Sequence, residues 1–168
     1  MLRIYEAEAD RQAADIRALF WEYLQWANAM VTREFGVTFE IEAMLEQDMR
    51  TLSKFTPPHG CLLLAEVDEQ IAGIAGLRTI GAGTGEIKRM FVRPAFRGKE
   101  IGRAMLNELI TQARAMGYRR ICLDSARFMT AAHGLYRSAG FTEVSAYVGS
   151  EIPRAFQAHW IFMERKLE

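Results

Sequence analysis

Two cysteines and four prolines in 168 residues leave the chain without a disulfide framework or a proline-rich linker. Cys61 and Cys122 sit in apolar, strand-like runs, without C-x-x-C spacing or a nearby histidine. This argues against a zinc or dithiol site and for two buried free thiols. His59, His133 and His159 are scattered and show no ligand spacing, so no metal is expected. Net charge is missing as well: 21 basic residues balance 21 acidic ones. No molecule-wide field draws the chain to nucleic acid or to an anionic membrane, and any selectivity for an anion must be local. No apolar run reaches membrane-spanning length, and the start, Met1 to Glu6, alternates like a strand rather than a signal peptide. A cytoplasmic protein is expected.

What is present is a chain half hydrophobic in composition, enough for one domain over residues 1–168. A first strand is read at Leu2 to Ala7. From Asp10, a plausible cap, to about Met30, the residues Ile16, Leu19, Phe20, Tyr23, Leu24 and Ala27 recur at helical spacing. Thr38 to Ser53 is a second amphipathic helix, closed by Pro57-Pro58. Cys61 to Val67 and Ile71 to Leu77, joined by Asp68-Glu69-Gln70, read as an antiparallel hairpin. The glycine run Gly81 to Gly85 leads into a strand from Glu86 to Val92.

A helix from about Ile101 to Met116, stopped by Gly117, then leads to a strand from Ile121 to Asp124. Strand, helix and strand form a βαβ unit with parallel strands, and ligands favour the carboxyl ends of such strands. A last helix, Met129 to Ala139, ends in Gly140. Short strands follow at Phe141 to Ser145 and His159 to Lys166, with a loop containing Pro153 between them. The sum is an α/β (α+β) fold with a mixed sheet of six to seven strands.

The turn Arg97-Gly98-Lys99-Glu100-Ile101-Gly102-Arg103 joins strand to helix inside this unit. Unpaired backbone N–H groups at the helix start can converge on one anion. Gly98 and Gly102 lack a Cβ to block approach, and Arg97, Lys99 and Arg103 add positive charge, so a pyrophosphate suits the turn. It is no Walker loop, and the Gly81, Gly83, Gly85 run has the wrong spacing and order for a dinucleotide fingerprint.

The stretch Glu86 to Pro94 followed by this turn resembles the acetyl-CoA-binding motif of the GNAT acetyltransferases, whose turn reads [Q/R]-x-x-G-x-[G/A]. Arg97, Ile101 and Gly102 match; Glu100 stands where the family most often has glycine. Downstream, Leu135-Tyr136-Arg137-Ser138-Ala139-Gly140-Phe141 resembles the family's L-Y-x-x-x-G-F, with Met129 in the place of a frequent asparagine. The resemblance implies a GNAT-like fold with two N-terminal helices and a further C-terminal helix and strands, and acetyl-CoA as co-substrate. It assigns Met90, Phe91 and Val92, with the Arg97 to Arg103 turn, to the cofactor. The Glu100 side chain is expected to point to solvent while its backbone N–H serves the ligand.

Acetyl transfer to an amine needs a neutral nucleophile, yet an alkyl amine of pKa about 10.4 is about one part in a thousand neutral at pH 7, so a base is required. By resemblance, Glu86 is the expected base and Tyr136 the acid that protonates the departing thiolate; a backbone N–H near Met90 to Val92 is expected to hold the oxyanion. Arg127, just past the Ile121 strand, is a candidate for an acceptor carboxylate. Trp21, Tyr23 and Trp26 read as core rather than pocket. The expected acceptor is a small-molecule amine, with a protein or peptide amine as the alternative, and a non-catalytic acyl-CoA sensor as the reading from another class. A homodimer is left open.

Overall fold

The computed structural model describes residues 1–168. Seven strands, β1 (Leu2–Glu6), β2 (Gly60–Val67), β3 (Gln70–Gly81), β4 (Thr84–Val92), β5 (Arg120–Ala126), β6 (Thr142–Val144) and β7 (Trp160–Lys166), form one sheet. Its order is β1-β2-β3-β4-β5-β7-β6. Every neighbouring pair is antiparallel except β4 and β5. That parallel pair flanks the helical crossover α3 (Ile101–Ala115), the expected βαβ unit. The glycine run read as a connection is largely strand: β3 reaches Gly81 and β4 begins at Thr84.

Alternation along the strands divides the core into two layers. Leu63, Leu77, Ile87 and Leu123 face α3, which returns Met105, Leu106, Leu109 and Ile110 as an apolar stripe, together with α4 (Thr130–Ser138). A buried leucine of this kind contributes roughly 2 kcal/mol. On the other face Leu62, Leu64, Ile74 and Phe91 meet α1 (Ala13–Phe35) through Ile16, Leu19, Phe20 and Leu24, and α2 (Ile41–Arg50) through Leu45. Cys61 and Cys122 are buried, and desolvation pushes their thiols up to about 12 and about 11.

Two helix boundaries differ from the sequence reading. The first helix runs to Phe35, because the residue that ends it is Gly36 in the left-handed conformation, whose N–H caps Thr32 O. At its start Asp10 makes no cap; the helix opens at Ala13. The second helix is shorter than expected, Ile41–Arg50, and a separate 3-10 turn at Leu52–Phe55 completes the segment. No helix is long and apolar enough to cross a membrane.

Candidate active site

The parallel pair is brief. Thr84, Gly85 and Glu86 pair with Arg120, Ile121 and Cys122, and beyond that point β4 and β5 part. Their remaining facing edges have no strand to pair with, and a cleft opens between them. A junction cavity of about 140 Å³ fills it, walled by Met90 and Lys88 from β4, Asp124 and Ser125 from β5, and Tyr136 from α4.

This junction shares walls with a larger cavity on each side. Toward α3 lies a groove of about 610 Å³, bordered by Met90, Phe91, Val92 and the Arg97 to Arg103 turn, with Trp26, Met129 and Tyr136 common to groove and junction. Toward α1 and α2 lies a cavity of about 810 Å³, which shares Tyr23, Lys88, Arg89, Asp124 and Trp160 with the junction. The three cavities therefore adjoin one another across the sheet where the strands separate.

The groove side is built mainly from backbone. The N–H groups from Gly98 to Arg103 donate to no acceptor within the chain, whereas the next, Ala104 N–H, bonds Glu100 O. Such donors at a helix start, in line with its dipole, suit a phosphate. Gly98 has φ 79° and Glu100 φ 61°. The second value explains why glycine is favoured where Glu100 stands: a side chain in the left-handed region costs about 1 kcal/mol. The Glu100 side chain is exposed, as expected, and accepts from Arg103 Nε at 2.8 Å.

Arg97 borders the groove: its Nε donates to Val92 O at 2.9 Å, and its guanidinium lies 4.9 Å from the Trp26 ring centre and 5.5 Å from that of Phe91. Lys99 does not line the groove; its ammonium sits over Phe96 at 5.7 Å, so it can act on a bound anion only through longer-range charge.

Tyr136 is 9% exposed, packs against Phe141, makes no hydrogen bond with its hydroxyl, and lines both junction and groove. Burial, with smaller contributions from Tyr23 and Asp124, raises its pKa, so the phenol keeps its proton. Behind it, Ser125 Oγ and His133 Nε2 lie 3.0 Å apart, and burial lowers the His133 pKa.

Two sequence assignments do not meet the cleft. Glu86 is wholly buried and borders none of the three cavities. Its carboxylate accepts from Arg78 Nε at 2.8 Å and from Tyr147 Oη at 2.6 Å, so both oxygens are occupied. Glu86 thereby ties down the β6–β7 loop instead of facing a substrate. Arg127 is also outside: β5 runs on to Ala126, and the guanidinium beyond its end donates to Ala158 O at 2.7 Å.

The larger cavity, toward α1 and α2, holds charges that the sequence reading missed. Arg89 takes φ 56° in a bulge where the register moves from Ile74↔Phe91 to Gly76↔Lys88. The extra residue puts Lys88 and Arg89, adjacent in sequence, on the same face. Arg89 pairs with Asp48 of α2 at 2.7 Å, and Lys54 reaches the same carboxylate at 3.0 Å. Lys88 lies 3.3 Å from Asp124 and 3.2 Å from Glu151 of the β6–β7 loop. Burial alone works to lower Lys88, but Asp124, Glu151 and Glu86 outweigh it and hold it above its ordinary pKa. Burial works to raise Glu151; Lys88, Arg89 and Arg78 overcome it and bring it down to about 2. The available signal was Lys88-Arg89 itself, two successive cations inside an apolar strand, where regular alternation would bury one of them in the other layer.

Residues 13–141 match the family model described as "Acetyltransferase (GNAT) family". An uncharacterised N-acetyltransferase of Schizosaccharomyces pombe is 31% identical over 141 residues, spanning 83% of this chain and 82% of its own. An IAA acetyltransferase of Azospirillum brasilense is 32% identical over 66% of this chain and 71% of its own. Among solved structures, the PaiA N-acetyltransferase of Thermoplasma acidophilum in complex with coenzyme A superposes with a TM-score of 0.74, at 18% identity and 99% coverage of both chains.

Proposed function

From the premise that this chain belongs to the GNAT family of acetyltransferases, we propose that it moves an acetyl group from acetyl-CoA to the primary amine of a small molecule by direct attack. The observation that carries this reading is the set of adjoining cavities across the sheet: a phosphate-suited groove on one side, a side-chain-lined cavity on the other, and a narrow junction with Tyr136 and Asp124 between them. The donors from Gly98 to Arg103 would hold the pyrophosphate, with Arg97 beside them, and the arm carrying the thioester would pass Met90 and Tyr136.

In this reading the amine enters from the acceptor cavity. Asp124, which borders that cavity and the junction, takes the ammonium proton, directly or through one water; it fills the role expected of Glu86. The neutral nitrogen attacks the thioester carbonyl carbon, and an N–H on the unpaired edge of β4 beyond Glu86 holds the oxyanion. As the C–S bond breaks, the sulfur takes the Tyr136 proton; the proton lost by the new amide nitrogen returns to the Tyr136 oxygen through water, and the one held by Asp124 passes to solvent, which restores both groups. Desolvation keeps the phenol protonated until negative charge develops on the departing sulfur, so Tyr136 stands loaded to donate and must be reprotonated in the same step.

A small molecule is favoured over a peptide because α1, α2 and the β6–β7 loop all contribute walls to the acceptor cavity. The test follows thiol release from acetyl-CoA with small amines and with peptides bearing free N-termini or lysines. Faster turnover on small amines is expected; preference for peptides reverses the acceptor assignment. Tight CoA binding with no turnover on either set points to the sensor.

A further inference from the structure

We propose that the acceptor is an amine that also carries a carboxylate, and that Glu151 occupies the seat of that carboxylate, between Lys88 and Arg89, until the acceptor displaces it. The inference rests on the acetyl-transfer reading for the amine, but the seat itself is argued from charge and contact alone.

The cavity's inner charges are Lys54, Lys88 and Arg89 against Asp48, Asp124 and Glu151, a balanced set. The remaining ionic groups do not alter that balance near the junction. Arg78 is committed to Glu86 and to Gly149 O, while Arg50 and Glu40 are exposed at the rim and opposite in sign.

The three carboxylates are held differently. Asp48 is on a helix, buried, and grips Arg89 with both oxygens, at 2.7 and 3.2 Å. Asp124 is on a central strand and 8% exposed. Glu151 belongs to a loop, is 32% exposed, and reaches Lys88 and Arg89 with one oxygen, Oε2, at 3.2 and 3.3 Å. Those lengths exceed the 2.7–2.9 Å typical of a charge-assisted N–H···O bond. Asp124 is held no more tightly, by Lys88 alone at 3.3 Å, but Glu151 is the only one of the three on a loop and the most exposed, and so the one free to withdraw.

Withdrawing Glu151 leaves Lys54, Lys88 and Arg89 facing Asp48 and Asp124, a surplus of one positive charge in a desolvated pocket. One acceptor carboxylate restores the balance. Because Lys88 and Arg89 also border the junction, the seat lies close to where the amine must react. An amino acid, with amine and carboxylate a few bonds apart, fits this placement. The anchors of the loop outside the seat, Tyr147 on Glu86 and Gly149 O on Arg78, let Glu151 leave without releasing the loop.

Two measurements on the full chain test this. The first compares thiol release from acetyl-CoA with matched acceptors: L-phenylalanine against 2-phenylethylamine, and L-methionine against 3-(methylthio)propylamine. The carboxylated member is expected to have the higher kcat/KM, by about tenfold or more. The second follows tryptophan fluorescence, since Trp160 borders the cavity, while 3-phenylpropionate or 3-phenylpropanol is titrated into wild type and Glu151→Gln. The propionate should bind more tightly than the alcohol, and Glu151→Gln should tighten the propionate alone, by about tenfold.

Equal binding of propionate and alcohol in both proteins overturns the seat, as does a faster rate with the decarboxylated amines; acetyl transfer then stands without it. Absence of turnover on every amine counts against the transfer reading, and the propionate comparison still decides the seat.

Discussion

The two sides of the cleft are made from different materials. The groove bordered by the Arg97 to Arg103 turn is a local construction in which backbone donors from Gly98 to Arg103, consecutive in sequence, converge at one helix start. The larger cavity is assembled from side chains on α2, β4, β5 and the β6–β7 loop, where Lys88 and Arg89 are answered by carboxylates far away in sequence. A backbone site tolerates substitution of most of its side chains and can serve the same cofactor in many relatives. A side-chain site can be rewritten one residue at a time to accept another substrate.

Breaking the acceptor side should have the largest effect. Asp48→Ala leaves Arg89 buried without its bidentate partner and is expected to lower stability by about 3–5 kcal/mol, read by urea denaturation. Where the variant remains folded, acetyl-CoA affinity should hold within about twofold, because the groove shares no charge with Asp48. A matching loss of cofactor affinity would mean that the two sides are not independent.

Tyr136→Phe probes the junction. Turnover should fall about a hundredfold, equivalent to about 2.7 kcal/mol, with acetyl-CoA affinity almost unchanged. Unaltered chemistry-limited turnover would remove the acid role. On the groove side, Arg97→Glu should weaken CoA about tenfold in calorimetry, and an unchanged affinity would leave the backbone donors to act alone.

The same contrast explains what could be read in advance. The turn and the L-Y-x-x-x-G-F segment are contiguous, so spacing alone places them on a βαβ unit and on α4. Lys88 and Arg89 gain their meaning from a bulge and from Asp48, 41 residues away along the chain, and no local pattern reports that pairing. The family resemblance implies Glu86 as a base, but its environment is set by Arg78 from the neighbouring strand and Tyr147 from a distant loop. The aromatic residues of α1 do both: Trp21, Tyr23 and Trp26 pack against the core as their spacing implies, and Tyr23 and Trp26 also border the cleft. The order of elements, by contrast, was fully readable, since hydrophobic periodicity and glycine stops are local properties.

The smallest effects refine the comparison. Glu100→Gly should relieve the left-handed backbone and free Arg103, raising stability by up to about 1 kcal/mol in thermal denaturation. A loss of stability would show that the Glu100–Arg103 pair outweighs the strain. For Glu151 the folded pKa is depressed from 4.5 to about 2, so its stabilising contribution is complete above 4.5 and is lost as pH falls through about 2. Carboxylate titration by NMR, comparing wild type with Glu151→Gln, should find Glu151 titrating well below 4.5; titration near 4.5 would mean that the loop does not hold it against Lys88 and Arg89.

The buried cysteines have a practical meaning for a reaction whose product is a thiol. With Cys61 and Cys122 raised to about 12 and about 11, almost no protein thiolate exists at neutral pH to accept an acetyl group by exchange or to capture oxidised CoA as a mixed disulfide. The folded enzyme is chemically silent toward its own chemistry, and a colorimetric thiol reagent added during turnover would register coenzyme rather than protein.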